Sequence, residues 1–172
     1  MKPEEMHPLA KLAKETVESY VRDRRLPKPT ELTPEMEGRA GVFVSIKKRG
    51  ELRGCIGTFE PSKPNVAEEI INNAVSSSTR DPRFPPVSSE ELADLTYTVD
   101  VLTDPEPVDS EAKLDPTRYG VIVRSGRRQG LLLPDLEGVD TAQRQIDICR
   151  RKAGILPDET VDLHRFEVRR YR

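Results

Sequence analysis

The run Leu52-Arg53-Gly54-Cys55-Ile56-Gly57 constrains the fold more than any other stretch of this chain. Two glycines inside a short strand each cost roughly 0.5–1 kcal/mol against alanine, so something must offset them. The usual reasons are a bulge, or the close approach of another backbone or a ligand. Just upstream, Val42, Val44 and Ile46 alternate with Phe43 and Ser45, and a polar segment containing Gly50 follows. These features predict an antiparallel hairpin with strands at 42–46 and 52–57. Alternation places Leu52, Gly54 and Ile56 on one face of the second strand, and Arg53, Cys55 and Gly57 on the other. A cation beside a thiol favours the thiolate, the nucleophilic form of cysteine. The competing role for Cys55 is packing, because free cysteine is among the most buried residue types.

The rest of the chain supplies helices and further hairpins. Leu9, Leu12, Ala13, Thr16, Val17 and Tyr20 recur at helical spacing within 8–25, and Pro8 suits a first turn. Residues 26–41, with Pro27, Pro29 and Pro34, read as a surface connector. A second helix is predicted over 65–77, with Val66, Ala67, Ile70, Ile71, Ala74 and Val75 as its buried stripe and Ser62 as a nearby cap. Ser88 or Ser89 with Glu90 and Glu91 predicts a short helical turn. Strands are predicted at 95–102, 119–123 and 130–134, and a last one at 161–168 whose apolar phase shifts between Leu163 and Phe166, as a bulge would cause. A third helix begins at Asp140, with Gln143 closing a capping box and Gly154 ending it. Hairpins without strict strand-helix alternation predict an antiparallel α+β fold.

A second unusual segment is Asp81-Pro82-Arg83-Phe84-Pro85-Pro86. Its prolines fix the backbone outside any regular element, and an arginine held in such a loop is a good clamp for a carboxylate or phosphate. Local pairing of Asp81 with Arg80 or Arg83 is the plainer alternative. The two histidines, His7 and His164, match no spacing for a catalytic dyad or a metal site. Cys149 lines up with Ala142, Ile146 and Ala153 and reads as core. Two distant cysteines form no disulfide framework and suit a reducing, cytoplasmic location. The first residues, Met1-Lys2-Pro3-Glu4-Glu5, are charged where a signal peptide would be apolar, and no stretch is long and apolar enough for a membrane span. With 28 basic and 30 acidic residues, net charge −2, the balance offers no support for nucleic acid as a partner, although Arg124, Arg127, Arg128, Arg150, Arg151 and Lys152 cluster locally.

The 52–57 hexapeptide followed by Asp81-Pro82-Arg83-Phe84-Pro85 resembles the AMMECR-type domain family. The match continues in order through Tyr119-Gly120-Val121, Gly130-Leu131-Leu132-Leu133-Pro134 and Lys152-Ala153-Gly154. This resemblance implies an α+β, two-lobed single domain over 1–172, with antiparallel sheets flanked by helices and a smaller lobe formed by part of the 87–140 region. It implies a functional cleft carried by Arg53, Gly54, Cys55, Gly57, Asp81 and Arg83. In prokaryotes such proteins resemble one component of a system that also contains a Memo-type protein and a radical SAM enzyme. No cofactor or metal follows from the motifs. Two functions fit: an enzyme or catalytic partner in a modification pathway, with Cys55 as nucleophile or thiol carrier, or a non-catalytic module that binds a partner protein or nucleic acid through a closely packed Cys55 surface.

Overall fold

A computed structural model of the chain describes residues 5–172. It is a mixed helix and strand fold with two antiparallel sheets, as the sequence predicts. Contacts divide it into two units, Met1–Leu102 with Arg169–Arg172, and Thr103–Val168. The segment 87–102 therefore belongs to the larger unit.

The larger unit holds helices α1 (Pro8–Asp23), α2 (Pro34–Glu37) and α3 (Val66–Thr79) and a sheet built from β1 (Val42–Lys48), β2 (Glu51–Thr58) and β3 (Leu95–Leu102). The sheet runs β2-β1-β3 and is closed by β8 (Val168–Tyr171). Alternation in β1 buries Val42, Val44 and Ile46 completely, and they join Val99 and Tyr97 of β3 in one core. Helix α3 covers that face with Val66, Ala67, Ile70, Ile71 and Ala74, and α1 adds Leu9, Leu12, Ala13 and Val17. Helix α3 is capped by Asn65, whose side chain accepts the Glu68 N–H. Ser62, expected near that cap, instead donates to Glu69, a buried carboxylate that also accepts from Thr58.

The smaller unit carries β4 (Glu106–Val108), β5 (Gly120–Ser125), β6 (Arg128–Leu132) and β7 (Asp162–Phe166), ordered β4-β7-β5-β6, with α4 (Ala142–Ala153) packed against β5 and β6. Its core comprises Val121, Val123, Leu132, Ile146, Cys149 and Ile155. Helix α4 begins one residue later than expected. Thr141, not Asp140, is the cap, and its hydroxyl accepts the Arg144 N–H. Gly154 ends the helix in the left-handed region as predicted.

The final strand departs from the expected bulge. It breaks at Glu167 into β7 and β8, which belong to different sheets. At the break the Thr103 N–H donates to the Glu167 carbonyl, and the Glu167 N–H donates to the Thr103 hydroxyl, both at 2.8 Å. The phase shift in the sequence thus marks a change of sheet, where the apolar face must be re-aimed. Among the described residues no helix is long and apolar enough to cross a membrane.

Candidate functional site

The predicted hairpin forms, and Ser45 stands opposite Cys55. The register slips between Ile46 and Lys47: Ile46 faces Gly54 while Lys47 faces Leu52, leaving Arg53 as the extra residue of a bulge. Alternation therefore fails at Arg53, and the expected shared face of Arg53 and Cys55 does not form. Arg53 forks onto Glu91, Nε to Oε1 at 2.9 Å and Nη2 to Oε2 at 3.1 Å, with its side chain 10% exposed. Glu91 is also the partner of Lys48 and closes the capping box of Ser88 at the start of the 3₁₀ turn Ser89–Asp94. Arg53 holds the Glu91 carboxyl down at about 2, aided by the Ser88 N–H and Lys48. This hub pins the bulge.

The two glycines are explained by close approach. At Gly54 any side chain would run into the Ser77 backbone carbonyl, so α3 seats directly on β2. The Ser77 hydroxyl then accepts the Ile56 N–H at 2.9 Å and donates to the Val44 carbonyl at 2.8 Å. At Gly57 a side chain would meet the Phe43 ring, which lies across the strand there.

On the sheet face away from α3, the register sets Cys55, Ser45 and Thr98 in one row and Gly57, Phe43 and Asp100 in the next. Ser45 Oγ lies 3.2 Å from Cys55 Sγ. Asp100 is bound by Arg170 of β8 through two hydrogen bonds, Nε at 2.8 Å and Nη2 at 3.1 Å. Cys55, Ser45, Phe43 and Thr98 are all half-buried.

The Asp81–Arg83 segment comes to the same strand. Asp81 is buried, and its Oδ2 accepts the Cys55 N–H at 3.0 Å. Arg83 donates to both Asp81 oxygens, Nε at 3.0 Å and Nη2 at 2.7 Å, and Nη2 lies 3.4 Å from the Cys55 carbonyl. Phe84 sits between the two arginines, its ring centroid 5.8 Å from Arg53 and 5.5 Å from Arg83. Arg83, with the N–H groups of Cys55 and of its own backbone, holds the Asp81 carboxyl well below the usual carboxylate range. The local Asp81–Arg83 pairing and the meeting of the two motifs therefore occur together.

Burial pushes the Cys55 thiol up from its ordinary value. The Ser45 hydroxyl and Arg83 oppose this, while Asp100 and Asp81 add to it. Arg53, bound to Glu91, is not among the leading influences. His7 caps α1, its Nδ1 accepting the Leu9 N–H, and stacks on Tyr171 with centroids 4.4 Å apart. His164 lies on β7 of the smaller unit, opposite Pro107 and Ile122. Cys149 is fully buried, and its thiol is pushed up to about 12. Among the described residues no group of three His, Cys, Asp or Glu is placed to hold a metal ion.

Sequence reasoning missed Ser45, Ser77, Thr98, Glu91 and the Asp100–Arg170 pair. The hairpin register could have supplied Ser45, and the capping box could have supplied Glu91. Ser77, Thr98 and Arg170 depend on pairings across the fold that carry no local signal.

The AMMECR1 family model matches residues 10–172. The chain belongs to this family. A Thermotoga maritima protein is 52% identical over 170 residues, covering 96% of this chain and 98% of the relative. A Clostridium acetobutylicum protein is 46% identical over 174 residues, and the chain spans only 37% of that longer protein. The crystal structure of an uncharacterised protein from Pyrococcus horikoshii shares the fold with a TM-score of 0.87 at 33% identity, covering 94% of this chain and 88% of the other. An AMMECR1 chain thus occurs both at this length and within a larger protein, and the names of these relatives assign no chemistry to the Cys55 surface.

Proposed function

We propose that this AMMECR1 chain is a partner-binding component of a modification pathway, and that its binding surface is the half-buried face of β1, β2 and β3 around Cys55, Ser45 and Thr98. The partner is a protein of the same system, a Memo-type protein or a radical SAM enzyme, which supplies the reaction. The observation that carries this reading is the state of Cys55. A nucleophilic cysteine needs a depressed pKa or an adjacent base. Here burial raises the thiol, its hydrogen-bond partner is a hydroxyl, and the arginine expected to activate it is bound to Glu91 instead. The face nonetheless combines an aromatic ring, two hydroxyls, a thiol and a charge pair in a half-buried setting, a composition suited to protein contact. Net charge −2 lends nucleic acid no support as the partner.

The test pairs two variants in a strain lacking this gene and in binding assays with the purified Memo-type and radical SAM proteins of the same genome. Cys55→Ala should fold, complement and bind. Thr98→Arg, which sets a bulky cation opposite Ser45, should fold, yet lose complementation and binding of at least one of the two. Full binding by Thr98→Arg would refute the assignment of the face.

A further inference from the structure

We infer that the outer edge of β2 is a strand-addition surface for an extended polypeptide, held shut in the free protein by Asp81 and Arg83. This rests on the partner-binding reading above and specifies how the partner is held. Strand β2 ends its sheet and is eight residues long, and past the bulge at Arg53 its regular register runs from Gly54 to Thr58. An edge of that length exposes unpaired main-chain groups and is a template for another chain unless guarded. The guard at its middle is made of two side chains. The Asp81 carboxylate accepts the Cys55 N–H, and the Arg83 guanidinium donates toward the Cys55 carbonyl. One acceptor and one donor set side by side are what a residue of a neighbouring strand presents. Asp81 and Arg83 thus stand in for a missing strand at one position.

Such a latch can be displaced. Arg83 is 54% exposed on its side chain, and among the described residues its Nη1 has no hydrogen-bond partner. The two residues neutralise each other, so moving them together leaves no unpaired charge on the edge. Leu52, 43% exposed on the same strand, offers an apolar side chain for an incoming strand to cover. The occupant is polypeptide because the latch it displaces is an acceptor and a donor at one residue. A peptide supplies both a carbonyl for the Cys55 N–H and an N–H for the Cys55 carbonyl, whereas a phosphate anion supplies acceptors for the first and no donor for the second.

The experiment uses the full chain and a defined probe, an eight-residue end-capped peptide alternating threonine and valine and carrying a fluorophore, followed by anisotropy. Asp81→Ala should bind the probe at least about tenfold more tightly than the unmodified chain. A probe N-methylated at every amide should not bind, since methylation removes the donors of a strand ladder from both of its edges. Arg83→Ala, which leaves Asp81 on the Cys55 N–H, should give a smaller gain, and it carries the test if Asp81→Ala fails to fold. Equal binding by the unmodified and variant chains, undiminished binding of the methylated probe, or no binding by any variant overturns the proposal. The outcome is separable from the preceding one. Failure of the partner-binding reading appears in the Thr98→Arg assay, in which the probe plays no part, whereas failure of the latch appears here while that assay still behaves as expected.

Discussion

The two units of this protein use the same packing device and put it to different ends. In each, the second strand of a hairpin carries a glycine that lets a helix backbone sit directly on the sheet: Gly54 under the Ser77 carbonyl of α3, and Gly130 under the Cys149 carbonyl of α4. Each unit also has one free cysteine. In the smaller unit it lies on the helix, in the core with Val121 and Ile146, and burial pushes it to about 12. In the larger unit it lies on the strand, next to the glycine but facing the opposite side of the sheet from the helix, half-buried among polar partners. The glycine is therefore a requirement of packing in both units. What distinguishes the larger one is what the packing leaves on the other face, and the Asp81–Arg83 loop that secures its edge.

The largest expected effect breaks the shared device. Gly54→Ala and Gly130→Ala should each destabilise their own unit by about 1–3 kcal/mol or more, because the new methyl meets fixed backbone and not a side chain that can turn aside. Thermal melts with unit-resolved hydrogen exchange measure this, and exchange should rise first in the unit carrying the substitution. A null effect at Gly54 would mean that α3 is free to shift on β2. A more local effect separates the units. Asp81→Ala leaves the Cys55 N–H without its acceptor, at a cost of about 1–3 kcal/mol, and should speed exchange of that amide while α4 stays protected.

Acid should sharpen the same contrast. Glu91 titrates at about 2 in the folded chain against an ordinary 4.5, and Asp81 is also depressed. A depressed carboxylate contributes stability that is fully present above its unfolded value and lost as pH falls through the folded one. Between about pH 4.5 and 2 the larger unit should therefore lose the Glu91 contribution, and Arg53→Met should flatten that dependence. Melts recorded across this range test it.

Much of the fold was legible because its signals are local. The α1 and α3 stripes, the first hairpin, the capping box at Ser88 and the stop at Gly154 each lie within a few residues of their cause. The site was legible as two motifs and only partly as an arrangement. Asp81 and Arg83 do reach Cys55. Arg53 does not share its face, because a bulge inserts a residue that strict alternation cannot foresee, and Glu91 draws the guanidinium to itself. The break at Glu167 was visible only as a shift in apolar phase, since a change of sheet and a bulge leave the same local trace. Ser77 was hidden because its role arises only once Gly54 has brought the helix within reach.

The smallest and most discriminating effect concerns the thiols. In the folded chain Cys55 should alkylate slowly at neutral pH, and Cys149 should label only on unfolding. The direct measurement is the pH dependence of Cys55 alkylation in a Cys149→Ala background. The account predicts that the rate is still climbing, with no plateau, at about pH 9, the ordinary thiol value that burial here exceeds. A rate that has already reached its plateau at pH 7 would show a stabilised thiolate, and would contradict the claim that this face binds a partner without itself supplying the nucleophile.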